Sequence, residues 1–185
     1  MINKNFLDTS NKKITNEKFK NKKLDDILFK FSLIKESKIE FCSLNSSDVG
    51  ENYFEKVSFF NCEINKVKNF QGNFLECEFN ECSFFESDNR DNIFKNCKFN
   101  KLNFENSTLR GSIFNDCQFF DSNFINCDLK KINFENSILE NLTFMNTDLF
   151  MSNFKNNNIK NLMIKDSNTF MIKFDKKNDK SIKYE

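Results

Sequence analysis

The sequence contains no proline, tryptophan or histidine, and only three of its 185 residues are glycine. The lack of histidine excludes the Ser-His and Cys-His pairs that activate a nucleophile. Compact folds normally use proline and glycine in their turns, so this chain must turn with ordinary residues. No segment approaches the roughly 18 consecutive apolar residues of a membrane span, and the lysine-rich N-terminus lacks the apolar core of a secretion signal. We therefore expect a cytoplasmic protein that does not enter a membrane.

Phenylalanine, by contrast, is abundant, with 26 copies. From Leu24 to Ile164 an apolar residue recurs at every fifth position without a change of phase, and only Asn69 and Asn89 interrupt it. The position two residues earlier usually holds a small residue, and all seven cysteines fall there. A period of five fits neither a helix nor a strand. It indicates a chain that turns a corner every five residues, so that four corners close a coil of about 20 residues that stacks on the next coil.

This pattern, seen most clearly in Cys127–Leu129 and Thr147–Leu149, resembles that of the pentapeptide-repeat family. The resemblance implies an all-β fold, a right-handed quadrilateral β-helix, here with about seven coils. We predict this solenoid for residues 24–168. Residues 1–23 are predicted to form a polar, basic N-terminal cap or tail in which a helix could form. Residues 169–185 are predicted to form a C-terminal cap or dimerisation strand, followed by a frayed tail.

The cysteines fall into columns when the chain is folded at this period. A straight ladder of thiols does not converge as a metal site requires, and parallel side chains in register would strain a disulfide. We therefore expect buried free thiols, no metal and no cofactor. One column holds Cys42, Cys62 and Cys82, a second holds Cys77, Cys97 and Cys117, and Cys127 stands alone.

Catalysis is not expected from the acidic residues. Carboxylate pairs occur, as at Asp25 and Asp26. On a convex rod they would be solvated, whereas general acid–base chemistry needs carboxyl groups whose pKa is shifted by burial. A lumen full of phenylalanine is expected to leave no pocket, so we predict that the protein is not an enzyme.

The charge distribution suggests one class of partner. Residues 24–159 carry 14 basic and 21 acidic residues, whereas both ends are basic. The resemblance extends to the quinolone-resistance branch of the family, whose members mimic DNA in width and charge and bind type II topoisomerases. It implies a protein partner, DNA gyrase or topoisomerase IV, with drug protection and no direct contact with nucleic acid. The alternative is a structural or general protein-binding solenoid without DNA mimicry, because the outer positions of any solenoid are polar.

Acidic residues are the first candidates for partner contacts. Some share one corner of successive coils, and others form a local patch that only Arg90 opposes. The corner residues are Asp48, Asp88, Asp128 and Asp148, and the patch adds Glu76, Glu78, Glu81, Glu86 and Asp91.

Two further regions are candidates. Asn69 and Asn89 lie one coil apart on the same face as the corner aspartates, and a polar side chain in the lumen needs a hydrogen-bond partner. Either the two amides bond to each other, or the face bulges and offers a recognition site that includes Phe70 and Arg90. At the C-terminal end, apolar residues alternate as in a strand. These residues, which could form a homodimer, are Phe170, Met171, Ile172 and Phe174.

Overall fold

The backbone forms a parallel β-solenoid in which each residue pairs with the residue 20 positions later. The computed structural model describes residues 7–185, which make about nine coils. The described residues contain no α-helix and one 3₁₀ helix, Lys176–Ser181. The strands are β1 Leu7–Asp8, β2 Lys13–Thr15, β3 Lys18–Lys20, β4 Ile27–Leu28, β5 Leu33–Lys35, β6 Lys38–Glu40, β7 Tyr53–Glu55, β8 Ser58–Phe60, β9 Asn73–Leu75, β10 Glu78–Asn80, β11 Ser83–Phe85, β12 Ile93–Lys95, β13 Lys98–Asn100, β14 Asn103–Glu105, β15 Ile113–Asn115, β16 Gln118–Phe120, β17 Asn123–Ile125, β18 Asn133–Glu135, β19 Ile138–Met145, β20 Asn158–Lys165 and β21 Ile182–Tyr184.

The corners of the coils depend on left-handed backbone conformations. Every fifth residue from Asn11 to Met171 has a positive φ, between 46° and 72°. About half of these residues are Asn or Asp, the side chains that tolerate this conformation best after glycine. The chain therefore turns without proline and with glycine at a single corner, Gly111, as the composition indicated.

Phenyl rings fill the lumen as stacked columns. Along one column, Phe94 and Phe114 have ring centroids 4.6 Å apart and nearly parallel planes. Between columns the rings meet edge to face, as Phe94 and Phe99 do at 5.3 Å. Both arrangements suit the ring quadrupole and stabilise the stack. The predicted inward position of every fifth residue is thereby confirmed.

The small residues lie beside these rings and satisfy backbone groups. The Ser137 hydroxyl accepts a hydrogen bond from the N–H of Cys117 and donates one to the Phe114 carbonyl oxygen. The Cys127 thiol donates in the same way to the Phe104 carbonyl oxygen at 3.5 Å. All seven cysteines are free and buried, so the predicted buried thiols are confirmed.

The solenoid has more coils than predicted because it begins before Leu24. The strands β1 to β3 lie in residues 7–23 and pair with residues of the next coil. Thr9, Ile14 and Phe19 continue the five-residue phase, but the lysines between them made this segment look like a tail. The helix suggested for this segment is absent from residues 7–23, and residues 1–6 lie outside the described part. That the first coil also caps the lumen stays a prediction.

The C-terminal end also differs from expectation. The segment around Phe170 forms a turn, and a single bridge joins Lys173 to Asn153, so no strand forms there. The residues predicted to fray instead form the 3₁₀ helix and β21, which pairs with β20. Ile182 is buried and anchors this last strand to the core. Because this segment is otherwise polar, its composition did not predict that Ile182 would be buried.

Candidate protein-interaction face

One side of the solenoid carries two parallel columns of outward side chains, and we call it the Asp face. Because side chains alternate along a strand, the residues before and after each inward residue both point to solvent. The first column is Asp48, Lys68, Asp88, Thr108, Asp128, Asp148 and Asn168, which are joined by successive bridges. The second is Lys30, Gly50, Phe70, Arg90, Arg110, Lys130, Phe150 and Phe170.

The corner aspartates have a structural role as well as a charge. One carboxylate oxygen of Asp128 accepts the backbone N–H of Lys130 at 3.1 Å, and Asp148 does the same for Phe150. Short polar side chains that bond to the N–H two residues later hold turns in this way. The predicted aspartate column exists, but the geometry of the corner accounts for part of its regularity.

The second column is basic and aromatic. Arg90, Arg110 and Lys130 stand on consecutive coils, with Phe70 before them and Phe150 after. Phe70 and Arg90 were candidates from the sequence, whereas Arg110, Lys130 and Phe150 were not. Their recurrence at intervals of 20 residues is the signal that joins all of them into one column. The Asp face is therefore zwitterionic rather than acidic.

Ion pairs join the two columns. The Arg90 guanidinium donates to both carboxylate oxygens of Asp88, at 2.7 and 2.6 Å, and these bonds raise the pKa of Arg90. The Lys130 ammonium lies 3.1 Å from an Asp148 oxygen. Among residues 7–185, the Arg110 guanidinium makes neither an ion pair nor a hydrogen bond, so it is available to a partner.

The predicted acidic patch is not one surface. Glu76, Glu81, Glu86 and Asp91 take successive left-handed corner positions, so they surround the coil instead of sharing a side. Lysines one coil away approach several of the carboxylates, as Lys66 approaches Glu86 at 3.5 Å. Arg90 is thus not their only opposing cation. Stacking places residues 20 apart side by side, so the cations that oppose these carboxylates stand on the neighbouring coils. The remaining pairs are Lys56–Glu76, Lys98–Glu78 and Lys101–Glu81.

The two lumen asparagines bond to each other, the first of the two predicted outcomes. The Asn69 amide nitrogen donates to the Asn89 side-chain oxygen at 3.4 Å, and both residues are buried. The bridge between Lys68 and Asp88 and the regular corner at Gln71 show that the face does not bulge. The side-chain oxygen of Asn69 and the amide nitrogen of Asn89 have no partner in residues 7–185.

The candidate dimerisation residues divide into two groups. Phe170 and Met171 are exposed at the last corner, and the Phe170 ring stacks on Phe150 with centroids 6.0 Å apart. Ile172 and Phe174 pack against the core instead. Only the first two could contact a second copy directly.

The expectation that the lumen has no pocket is wrong. A cavity of about 370 Å³ lies inside the N-terminal coils, where residues from Thr9 to Phe84 line it. The aliphatic side chains there fill the coil less completely than the stacked rings of later coils.

Two other kinds of feature, a metal site and a membrane-spanning helix, are absent from the described residues. Within residues 7–185 no three His, Cys, Asp or Glu side chains are grouped to hold a metal ion. No helix in the same range is long and apolar enough to span a membrane.

Comparison with known proteins agrees with the repeat geometry. Residues 70–144 match the family model described as pentapeptide repeat region. The same register continues on both sides of that segment. Residues 70–144 are thus a pentapeptide-repeat region. A search of curated protein sequences finds no match.

Two solved structures are among those similar to the chain. HetL, a pentapeptide repeat protein involved in heterocyst differentiation regulation from the cyanobacterium Nostoc sp. strain PCC 7120, is 8% identical, with a TM-score of 0.47. That match covers 91% of this chain and 87% of HetL. Full-length QnrB1, a plasmid-mediated fluoroquinolone resistance protein, is 19% identical, with a TM-score of 0.42, over 90% of this chain and 95% of QnrB1. Neither likeness indicates a partner or an activity for this chain.

Proposed function

We propose that this protein is a non-catalytic scaffold that binds another protein through the Asp face. The observation that carries the proposal is the pair of columns, acidic beside basic and aromatic, on one side of a regular solenoid. Arg and aromatic side chains are enriched where proteins bind one another. The free guanidinium of Arg110 between Arg90 and Lys130 gives the face a donor for a carboxylate of the partner.

A type II topoisomerase is the more specific candidate partner, by way of DNA mimicry. The acidic excess of residues 24–159 supports this hypothesis. The charge pairing on the Asp face and across neighbouring coils weakens the negative field that mimicry needs. The geometry therefore favours the general protein-binding solenoid, with topoisomerase binding as a separately testable form of it.

The test compares three variants that keep the fold. Replacing Asp88, Asp128 and Asp148 by Asn removes the charges but keeps the side-chain oxygen that accepts the turn hydrogen bond. Replacing Arg90, Arg110 and Lys130 by Gln removes the basic column. The control, Glu78→Gln with Lys98→Gln, removes one ion pair on the opposite face.

Partner capture by these variants decides whether the Asp face is the binding site. A partner captured by the wild-type chain and by the control, but not by the basic-column variant, supports the scaffold proposal. Equal capture by all variants overturns the Asp face as the binding site. For the topoisomerase hypothesis, DNA gyrase supercoiling is measured with and without a quinolone. The hypothesis requires an effect that the Asp-to-Asn variant loses, and no effect of the wild-type chain would contradict it.

A further inference from the structure

The lumen of the solenoid is filled unevenly along its length. In the middle and C-terminal coils, lumen side chains such as Phe124, Leu129 and Phe134 are completely inaccessible to solvent. In the N-terminal coils, Leu44 and Val49, which also point inward, keep 8% and 7% of their surface accessible. These values are for whole residues, and the cavity of about 370 Å³ locates the incompletely filled space inside the same N-terminal coils.

The two ends of the cavity are polar and the wall between them is apolar. Thr9 and Lys12 lie at the end formed by the first described coil. At the deep end, Asn69 is more than nine-tenths buried and its side-chain oxygen has no partner within residues 7–185. The wall in between consists of Ile, Leu, Val and Phe side chains. Small-molecule sites combine an apolar lining with a few placed polar groups, and here the group at the rim, Lys12, is the one that can hold a polar head.

We propose that the N-terminal lumen binds the hydrocarbon chain of a fatty acid, with the carboxylate at Lys12 and the tail directed toward Asn69. The volume falls within the range of about 300–1,000 Å³ for ligand sites. The cavity spans the first four coils, so its length is about 14 Å at about 4.8 Å per coil. That length matches about half of the roughly 30 Å hydrocarbon core of a bilayer, which is the depth that one acyl chain fills.

Charge at the end formed by the first described coil favours an anionic head group. The first coil is rich in lysine, and Lys12 lies on the cavity rim, where no ion pair within residues 7–185 engages its ammonium group. The closed four-sided wall admits one hydrocarbon chain and not two. This favours a ligand with a single acyl chain. The proposed site lies inside the coil, so it is independent of the Asp face on the outside.

Dodecanoate is the probe that tests the proposal. Wild-type protein should bind it, measured as displacement of 1-anilinonaphthalene-8-sulfonate fluorescence and as a rise in Tm. The blocking variant is Ile39→Phe, because residue 39 stacks between Phe19 and Phe59 and a ring there would complete the column. We expect dodecanoate affinity to fall at least about tenfold, while Ile39→Leu, which keeps the volume, binds as wild type.

A second pair of variants tests the head group. Lys12→Glu should weaken dodecanoate binding but leave binding of uncharged dodecanol within about twofold. Lys173→Glu, at the opposite end of the solenoid, should change neither. Circular dichroism checks that each variant folds, and Leu44→Phe replaces Ile39→Phe if the latter does not.

Three outcomes would overturn the proposal. The first is that dodecanoate neither raises the Tm of the wild-type chain nor displaces the fluorescent probe from it. The second is equal dodecanoate affinity in the wild-type chain and a folded blocking variant. The third is binding that appears only after deletion of residues 2–6, which would make the chain's own N-terminus the occupant.

Discussion

At the level of single residues, buried amides behave in two different ways. Asn92, in the position normally held by a small residue, donates to the carbonyl oxygens of Asn69 and Asn89 and accepts the N–H of Gly72. Its side chain is therefore fully paired. Asn69 and Asn89, in the lumen, share one long hydrogen bond and leave two buried polar atoms without partners in the described residues. An unpaired buried polar group costs about 1–3 kcal/mol.

Replacing both lumen asparagines by leucine should therefore stabilise the protein. Leu109 and Leu129 already occupy the same column in later coils, so leucine fits this wall. We expect the free energy of unfolding to rise by about 1–3 kcal/mol, measured by urea denaturation. Asn89→Leu alone should raise the free energy of unfolding by less, because it leaves the Asn69 amide without its partner.

Asn92→Ala is the contrasting variant. It should lower the free energy of unfolding by about 2–4 kcal/mol, because the Gly72 N–H and the Asn69 carbonyl oxygen lose their partner. The Asn89 carbonyl oxygen keeps the Ser112 hydroxyl as a donor. A double leucine variant that is as unstable as Asn92→Ala would show that the lumen amides stabilise the fold.

At the level of the structural element, the unit is a short strand followed by a left-handed corner. Asn and Asp suit that corner, but Phe31, Phe41, Met151 and Met171 also occupy it, with side chains exposed to solvent. A non-glycine residue in this conformation is disfavoured by roughly 1–2 kcal/mol, and Asn is an exception because it bonds locally. The exposed apolar corners are therefore not explained by backbone preference.

Met151→Asn should stabilise the protein by about 0.5–1 kcal/mol, measured as a shift in the urea midpoint. Met151 has φ of 58° and an exposed side chain, so little packing is lost. Met151→Ile, which adds a branch at the same strained corner, should destabilise the protein. A midpoint that falls in Met151→Asn would show that Met151 contributes contacts beyond its backbone conformation.

The buried Cys127 thiol makes the stability of the protein depend on pH. Burial raises the pKa of the Cys127 thiol from 9.0 to about 11. The unfolded chain thus loses this proton from about pH 9, and the folded chain only near pH 11. The contribution of the neutral thiol to stability is complete below pH 9 and is lost between pH 9 and 11, on the order of 3 kcal/mol.

Cys127→Ser should remove that part of the alkaline loss, because serine is common at this position and does not titrate there. Urea midpoints measured with a reductant from pH 8 to 11 should fall less steeply in the variant than in the wild type. Parallel curves would contradict the assignment of this pH dependence to the buried thiol.

At the level of the whole molecule, the two ends of the solenoid are different. The N-terminal coils enclose the cavity, whereas the 3₁₀ helix and β21 follow the last corner. Phe170 and Met171 expose apolar surface beside that end. Such surface often marks an interface, so a homodimer through the C-terminal end stays a prediction.

Sedimentation equilibrium across a range of protein concentrations tests the dimer. If it forms through this corner, the combined change Phe170→Ser and Met171→Asn should shift the protein to a monomer. The matched control, Phe31→Ser, removes an exposed aromatic residue near the other end and should not change the mass. A wild-type chain that remains monomeric at high concentration would remove the prediction.

The sequence alone determined the repeat, the inward residues and the buried state of the thiols. It could do so because a period of five depends only on local backbone geometry. The position of a residue within the repeat is then enough to show whether it points inward. Even the pairing of Asn69 with Asn89 follows from their spacing of 20. The tertiary structure decided which stacked side chains form ion pairs and how completely they fill the lumen, because both depend on side-chain conformation and volume and not on spacing alone. It places Lys66 beside Glu86, pairs the aspartate column with a basic column and leaves a cavity in the N-terminal lumen.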